Sequence, residues 1–294
     1  MRPDKAHHII LLAIMGDQCY RCGHLVCLLV HFTHFTIDCS KFTISMSDAN
    51  LLLLIGVLLP PKTLDGLGPV VEERLVQTPY GPFGPVARRS AENLPGVWVG
   101  PYTGLPTRTD PRATLFAANQ LGARRVIGWD TGIAVNPVLM RGQPVIAGDF
   151  IDFTFREPST FANELARGRQ DERKMLVPRF CPQLTGALQK MLPIAPSVTY
   201  LGIDDLRRET PAEARMYRLW GADVIGQNLV PEVLLAREAG VCFAGLVTVG
   251  SHSADLPSPT PYGELRAGLE MAMEVLPDLI RYLGMLPDCT CTDS

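Results

Sequence analysis

The chain has 294 residues, of which 47% are hydrophobic and 19% are charged. This composition is typical of a globular protein and excludes a disordered, collagen-like or coiled-coil chain. The formal net charge of −3 provides no general attraction for nucleic acid or anionic lipid. We therefore expect a small molecule or another protein as the partner, and neither nucleic acid nor a membrane.

Residues 1–45 differ in composition from the rest, since they hold four of the eight cysteines and five of the six histidines. Three interpretations are open. Cys19 and Cys22, with the cysteines and histidines that follow, are residue types that bind zinc. The apolar run at 9–15 resembles the start of a signal peptide. The interpretation we favour is that Met46 is the true start and that 1–45 is a divergent extension.

Two observations favour a reducing, cytoplasmic location. The longest apolar run near the start, at 51–59, is closed by Pro60 before it reaches the length of a membrane span. The later cysteines are sparse and show no disulfide framework; they are Cys181, Cys242, Cys289 and Cys291. We expect the Cys-Thr-Cys tail to be a frayed terminus, and we predict no metal site and no cofactor.

Short apolar runs bounded by Gly or Pro alternate with helical patterns from Leu51 onward. Such alternation predicts an α/β fold with a mixed, largely parallel sheet. The predicted strands are 51–59, 97–99, 125–128, 145–153, 199–203, 223–225 and 241–249. The predicted helices are 111–121, 182–192, 211–220, 231–239 and 261–284.

Two helix starts are well marked. Thr210-Pro-Ala-Glu213 has the spacing of a capping box with proline at the first helical position, so a helix should begin at Pro211. Pro231 and Gly240 bracket the next helix in the same way. Residues 227–230 then form a strand-to-helix loop at the carboxyl end of the sheet, where open α/β folds bind ligands.

The segments 209–226 (ETPAEARMYRLWGADVIG) and 230–244 (VPEVLLAREAGVCFA) resemble the signature of methylthioadenosine phosphorylases and trimeric purine nucleoside phosphorylases. Shorter matches lie at 78–81, 117–122, 148–154 and 180–182. The resemblance implies one nucleoside phosphorylase-like domain at 46–286, with a distorted barrel-like mixed sheet surrounded by helices, followed by a tail at 287–294. It also implies a cytoplasmic homotrimer.

The activity implied by the resemblance is that of a pentosyltransferase in purine salvage. Phosphate, as co-substrate, cleaves the N-glycosidic bond of a purine nucleoside and gives the base and a sugar 1-phosphate. By position, Glu209 matches a glutamate that binds the base, although a first-turn acid of a helix is an equally good interpretation. Arg208 replaces an aromatic residue that stacks on the purine, and Gln227 replaces a methionine under the ribose.

The acid that assists the departing purine falls at Ser251 or Ser253, and serine is a poor general acid. His252 lies between them, and histidine is a residue type that can replace the missing acid. The alternative, which we favour, is a surface or interface histidine. These three residues are the catalytic candidates.

The phosphate pocket departs most from the family pattern. Prolines follow the first strand where a glycine-rich loop should donate N–H groups, and no Arg or His lies near 97–100. Asp130 should repel the anion. Thr131, and Asn228 ahead of the helix near Pro231, remain as phosphate donors.

These departures predict weak or absent phosphorolysis of inosine and methylthioadenosine. Two alternatives are a catalytically inactive homologue that serves as a trimeric scaffold, and a homologue repurposed for another ligand. An open polar pocket with Glu209, Asn228 and His252 around one centre would favour chemistry. A pocket filled by Trp129 and Leu206 would favour the scaffold.

Overall fold

The computed structural model describes residues 50–57, 59, 63–101, 110–155, 160–161, 177–204, 207–257, 262–289 and 291. The interpretations of residues 1–45 and the expectation for Leu206 lie outside this part of the chain. Among the described residues, no helix has both the length and the hydropathy needed to cross a bilayer.

Nine strands and five α-helices make up the described chain. The strands are β1 Leu51–Ile55, β2 Val70–Thr78, β3 Gly81–Ala91, β4 Leu94–Pro101, β5 Arg125–Ala134, β6 Pro144–Phe153, β7 Ser197–Ile203, β8 Val224–Gly226 and β9 Cys242–His252. The helices are α1 Pro111–Gln120, α2 Pro182–Met191, α3 Pro211–Leu219, α4 Glu232–Ala239 and α5 Tyr262–Met285, with a 3₁₀ helix at Thr63–Leu67.

All nine strands belong to one mixed sheet with the order β2-β3-β4-β1-β5-β8-β7-β6-β9. A further parallel pairing joins β5 to β9, from Arg125 opposite Cys242 to Ala134 opposite His252. This pairing closes β5, β8, β7, β6 and β9 into a barrel, and the other four strands extend the sheet from β5. The prediction of a mixed, barrel-like sheet surrounded by helices is confirmed.

The continuous apolar run of β1 reflects burial on both faces of the sheet. Leu52 and Leu54 belong to one core cluster, which also receives residues of α1 and α4. Leu51 and Leu53 belong to a second cluster, which contains residues of α2 and α5. Because helices cover both faces, the strand lacks the alternation of a half-exposed strand.

The two marked helices start close to where the sequence placed them. The Thr210 hydroxyl accepts a hydrogen bond from the Glu213 N–H at 3.2 Å, and a Glu213 carboxylate oxygen accepts one from the Thr210 N–H at 2.7 Å. Helix α3 therefore begins at Pro211, as predicted. Helix α4 begins at Glu232, one residue later than predicted, and stops at Gly240, whose φ of 69° lies in the left-handed region.

Several strand boundaries differ from those predicted. Strands β2 and β3 were missed because their polar residues and internal prolines do not form a buried apolar run. Strand β5 continues six residues beyond Gly128, since β8 and β9 supply its pairing partners. Residues 129–134, which lie beyond the predicted end of this strand, are therefore strand, and β9 likewise extends to His252.

The C-terminal tail packs against the domain. Arg125, which is buried, donates to the carbonyl oxygens of Leu283, Leu286 and Pro287 at 2.9–3.1 Å. Cys289 and Cys291 are half-buried and contact the second core cluster. The expectation of a frayed terminus at 289–291 is wrong for these two residues, because tertiary contacts hold them.

Candidate active site

An open cavity of about 270 Å³ lies beside the N-terminus of α3. Its apolar wall comes from the ends of β6 and β7 and from α3, and its polar wall from the segment before α3 and the first turn of that helix. The lining residues are Phe153, Phe155, Ile203, Asp204, Arg207, Glu209, Glu213 and Tyr217. An apolar cavity with a few convergent charged groups is suited to a small aromatic ligand.

Aromatic side chains hold the apolar wall together. The Phe153 ring contacts those of Phe155, Tyr217 and Trp220 edge-to-face, with centroids 5.1, 5.7 and 5.4 Å apart. This geometry is favourable for aromatic pairs. Phe155 itself is 79% exposed, so it presents a free aromatic surface at the cavity.

Of the three acidic residues that line this cavity, Glu209 is the one that is buried. Its Oε1 accepts hydrogen bonds from the Ala254 N–H at 2.7 Å and from Arg208 at 3.3 Å. Its Oε2 is buried and has no hydrogen-bond partner among the described residues. A buried acceptor without a partner is costly, so the geometry suits a ligand that brings an N–H or O–H donor.

The other charged residues of the cavity are paired. Arg207 donates to both carboxylate oxygens of Glu213 at 2.8 and 2.6 Å. This pairing lowers the pKa of Glu213 to about 2. Asp204 accepts from the Phe155 N–H at 2.5 Å, which ties the end of β6 to the end of β7.

Arg208 joins Glu209 to the end of β9. The Arg208 guanidinium donates to the His252 carbonyl oxygen at 2.6 Å and to Glu209, while its side chain remains 58% exposed. Arg208 therefore bridges two segments of the site in place of the aromatic residue that would stack on a base. The bridge joins Arg208 and Glu209 to the backbone of His252. Neither Asn228 nor His252 lines the cavity at Glu209, so this cavity does not have Glu209, Asn228 and His252 around one centre.

The three catalytic candidates lie at the end of β9 in different environments. The His252 imidazole Nε2 is 2.8 Å from the Leu139 carbonyl oxygen, a contact that suits a structural histidine. Ser253 is buried, and its hydroxyl donates to Asp255 at 2.8 Å. Ser251 is half-buried on β9 opposite Ile133. Among the described contacts, the Ser251 hydroxyl makes no hydrogen bond, whereas the Ser253 hydroxyl does.

Asp130 is buried inside the fold, contrary to the expectation that it would face and repel phosphate. It accepts from the Tyr200 hydroxyl at 2.7 Å and from the Asn228 amide nitrogen at 2.6 Å. The backbone N–H groups of Thr131, Gln227 and Asn228 also donate to it at 2.8, 3.2 and 3.3 Å. These donors compensate the buried carboxylate, yet burial still raises its pKa from the ordinary value of 3.8.

The backbone N–H and an amide N–H of Asn228 therefore donate inside the protein, which argues against its expected role as a phosphate donor. The Asn228 N–H also donates to the Tyr200 hydroxyl at 3.0 Å. The Asn228 amide oxygen is buried and lacks a partner among the described residues, and an acceptor does not bind an anion. In addition, the buried Glu232 carboxylate lies in the first turn of α4, where an anion was expected.

Thr131 and Gln227 differ in accessibility. Thr131 is exposed on β5, and its backbone N–H is donated to Asp130. Gln227 is half-buried after β8.

Trp129 is fully buried and donates to the Thr248 hydroxyl at 3.0 Å, so it belongs to the core and does not fill the cavity at Glu209.

Sequence reasoning missed the pair formed by Asp130 and Tyr200. Both lie in otherwise apolar strands, and an isolated acid in such a strand needs a buried partner. That pattern was the available signal.

Among the described residues, four cysteines also form a compact group of metal-ligating side chains: Cys181, Cys242, Cys289 and Cys291. None of them lines the cavity at Glu209.

The barrel closed by β5 and β9, with a ligand-sized cavity at the strand ends, defines a helix-covered α/β barrel of the nucleoside phosphorylase type. The sequence pattern of the Phosphorylase superfamily matches residues 55–281. The chain belongs to this superfamily.

Individual relatives agree with this assignment. The S-methyl-5'-thioadenosine phosphorylase of Pyrococcus furiosus is 34% identical over 232 residues, which cover 74% of this chain and 88% of the relative. The 6-oxopurine nucleoside phosphorylase of the same organism is 32% identical over 198 residues, covering 63% of this chain and 74% of the relative. The structure of methylthioadenosine phosphorylase from Schistosoma mansoni in complex with tubercidin superposes with a TM-score of 0.69 at 20% identity, covering 81% and 92% of the two chains.

Proposed function

We propose that this protein binds purine nucleosides at the Glu209 cavity and cleaves their N-glycosidic bond by phosphorolysis, as a pentosyltransferase. The observation that carries the proposal is the buried Glu209 carboxylate, with one oxygen anchored by Ala254 and the other without a partner. The two Pyrococcus relatives are called methylthioadenosine and 6-oxopurine nucleoside phosphorylases, which agrees with a purine ligand.

The chemistry of Glu209 favours a 6-oxopurine over adenine. An ionised carboxylate can only accept hydrogen bonds. Hypoxanthine presents an N1–H donor at its Watson–Crick edge, whereas adenine presents an N1 lone pair there and only its amino group as a donor. Pairing of that lone pair with the carboxylate would be repulsive, so the free Oε2 oxygen discriminates between the two bases.

We place the sugar and the phosphate at the other candidate residues predicted from the sequence. In phosphorolysis a phosphate oxygen bonds to the anomeric carbon as the carbon–nitrogen bond breaks, and the electron pair leaves with the purine. We assign hydrogen bonding of the departing base to Ser251 and His252, contact with the sugar to Gln227, and contact with phosphate to Thr131. None of these supplies a fixed positive charge, so slow turnover is expected.

A second proposal is a homologue that does not catalyse phosphorolysis, and the Asp130 network favours it. The Asn228 backbone N–H donates to Tyr200 and an amide N–H donates to Asp130, which removes two donors that could otherwise bind phosphate. Such a protein would serve as a scaffold or act on another ligand through the same cavity. We propose a cytoplasmic homotrimer in either case, and the exposed rings of Phe155 and Trp220 are apolar surface that such an assembly would cover.

Ligand-dependent thermal unfolding tests the proposed base site, because a ligand that binds the native state raises the melting midpoint. We expect hypoxanthine to raise the midpoint more than adenine does. Glu209→Gln should abolish most of the hypoxanthine shift, since the amide places a donor or a weaker acceptor against N1–H. Glu270→Gln, an exposed helix position paired with Arg266, is the matched control and should leave the shift intact.

The phosphate dependence of inosine turnover then decides whether the protein is a phosphorylase. Slow loss of inosine that requires phosphate and decreases in Glu209→Gln supports the phosphorylase proposal. A hypoxanthine shift without turnover supports the non-catalytic homologue. Rapid phosphate-dependent turnover would contradict the interpretation that the phosphate site is weakened, and the absence of a shift with every purine would refute the proposed base site.

A further inference from the structure

Four cysteines from three distant parts of the chain meet at one point. Cys181 precedes α2, Cys242 begins β9, and Cys289 and Cys291 lie in the C-terminal tail. Their four sulfur atoms all lie within 4.8 Å of one another. The nearest pairs are Cys242 with Cys291 at 3.5 Å and Cys181 with Cys289 at 3.7 Å.

The two shortest separations are close to the edge of a sulfur tetrahedron around one metal ion. A zinc–sulfur bond of about 2.3 Å places tetrahedral sulfur ligands about 3.8 Å apart. A disulfide needs a separation of about 2.05 Å, which neither pair has. The group is also too compact to enclose a multi-iron cluster between its sulfurs.

The protein holds two of the sulfurs in place without a metal. Cys181 and Cys242 are both buried. The Cys181 N–H donates to the Phe243 carbonyl at 2.7 Å, and the Cys242 N–H donates to the Arg124 carbonyl at 2.9 Å. Because the backbones of both residues are bonded to neighbouring strands, this half of the site is preorganised.

The other two sulfurs are brought in by the tail. Arg125 bonds the carbonyls that lead into it, and Gln183 donates to the Pro287 carbonyl at 3.2 Å. The Cys291 N–H donates to the Cys289 sulfur at 3.4 Å. A backbone N–H directed at sulfur stabilises the thiolate form, which is the form that binds metal.

The surroundings favour negative charge at the sulfurs. Cys181 is the N-cap of α2, so its sulfur lies at the positive end of a helix dipole. The guanidinium of Arg237 donates to the Cys291 carbonyl, and Arg179 lines the same small cavity beside Cys181, Cys242 and Cys291.

We propose that Cys181, Cys242, Cys289 and Cys291 bind one structural zinc ion. Four thiols release four protons as they bind Zn²⁺, which leaves a tetrathiolate site of net charge −2 beside Arg179 and Arg237. All four positions are taken by protein, so the ion has no open position for catalysis. Its role is to fasten the C-terminal tail to the start of β9 and to α2.

The test is the zinc content of the full-length chain, purified under reducing conditions without chelator and measured by elemental mass spectrometry. We expect the double variant Cys289→Ser/Cys291→Ser to contain one zinc per chain less than the parent. The matched control is Cys19→Ser/Cys22→Ser, which alters the cysteine-rich N-terminal segment and should retain this ion. Circular dichroism establishes that each variant is folded.

Two further measurements keep the proposal independent of the folding of the variants. X-ray absorption at the zinc edge of the parent should show four sulfur ligands at about 2.3 Å. A strong chelator should lower the melting midpoint of the parent by several degrees and leave that of the tail double variant unchanged. The proposal fails if the tail double variant retains all its zinc. It also fails if the parent holds no zinc and peptide mapping shows these cysteines as free thiols or as two disulfides.

Discussion

Replacement of Tyr200 by phenylalanine tests the buried network around Asp130. Tyr200 is fully buried, and its hydroxyl donates to Asp130 at 2.7 Å and accepts from the Asn228 N–H at 3.0 Å. Tyr200→Phe keeps the ring and removes only that oxygen. Asp130 retains the Asn228 amide donor and the Thr131 N–H, so the network is weakened without being dismantled.

The size of the effect follows from the loss of a buried hydrogen bond to a charged group, which costs about 2–3 kcal/mol in the free energy of unfolding. For a chain of this size each kcal/mol corresponds to about 2–4 °C, so the midpoint should decrease by about 4–12 °C. The Asn228 N–H also loses its better acceptor, which favours the upper half of this range.

The decrease should depend on pH. Burial raises the pKa of Asp130 in the folded state, and the Tyr200 hydrogen bond opposes that shift. A group whose pKa is raised on folding contributes stability at low pH that is lost as pH rises through the folded value. Because Tyr200→Phe raises the folded pKa further, the difference between variant and parent should be larger at about pH 8 than at about pH 5.

Differential scanning calorimetry at the two pH values measures the effect. Tyr282→Phe is the matched control, since Tyr282 is half-buried beside Lys190 and no described hydrogen bond involves its hydroxyl. The reasoning is refuted if Tyr200→Phe melts within about 1 °C of the parent at both pH values. An equal decrease at both pH values would mean that Asp130 does not titrate in this range.

Two further predictions concern packing and an ion pair. Gly202→Ala should destabilise the fold by about 1–3 kcal/mol, because a Cβ there would lie 2.5 Å from Cβ of the β-branched Val230. Gly186→Ala, in a helix and with no atom within 4 Å of the new Cβ, should stabilise it by about 0.4–1 kcal/mol; chemical denaturation of both variants checks this opposite sign. The Arg218 guanidinium holds the pKa of Asp255 below 3.8, so the ion pair contributes stability above that pH that disappears as pH falls. Asp255→Asn should therefore be less destabilising at about pH 3 than near neutral pH, and equal destabilisation at both would contradict the ion-pair argument.

Local signals were sufficient for most of the helices. Thr210 and Glu213 form the capping box that their spacing predicts, because a cap is made by residues within one turn of each other. The apolar run of β1 likewise identified a strand buried on both faces. Such features depend on neighbouring residues, so the sequence alone contains them.

The sequence predicted the positions of the polar residues in the candidate site better than it predicted their hydrogen-bond partners. The resemblance assigned Glu209 and Arg208 to the base, and Arg208 bonds Glu209 and the His252 carbonyl oxygen. It could not show that the two donors of Asn228 are bonded to Asp130. A side chain in a strand has many possible partners, and only the packing of β5 against the end of β8 selects one.

The sequence by itself determined the helix caps, most of the strands and the α/β class, because short-range sterics and hydrogen bonding encode them. Only the tertiary structure decided that β5 continues through residues 128–132, since strands β8 and β9, about 90 and 120 residues later, supply its partners. It also decided that Cys181, Cys242, Cys289 and Cys291 share one point. Contacts between residues so far apart in the chain depend on how the sheet closes, and no local pattern specifies that closure.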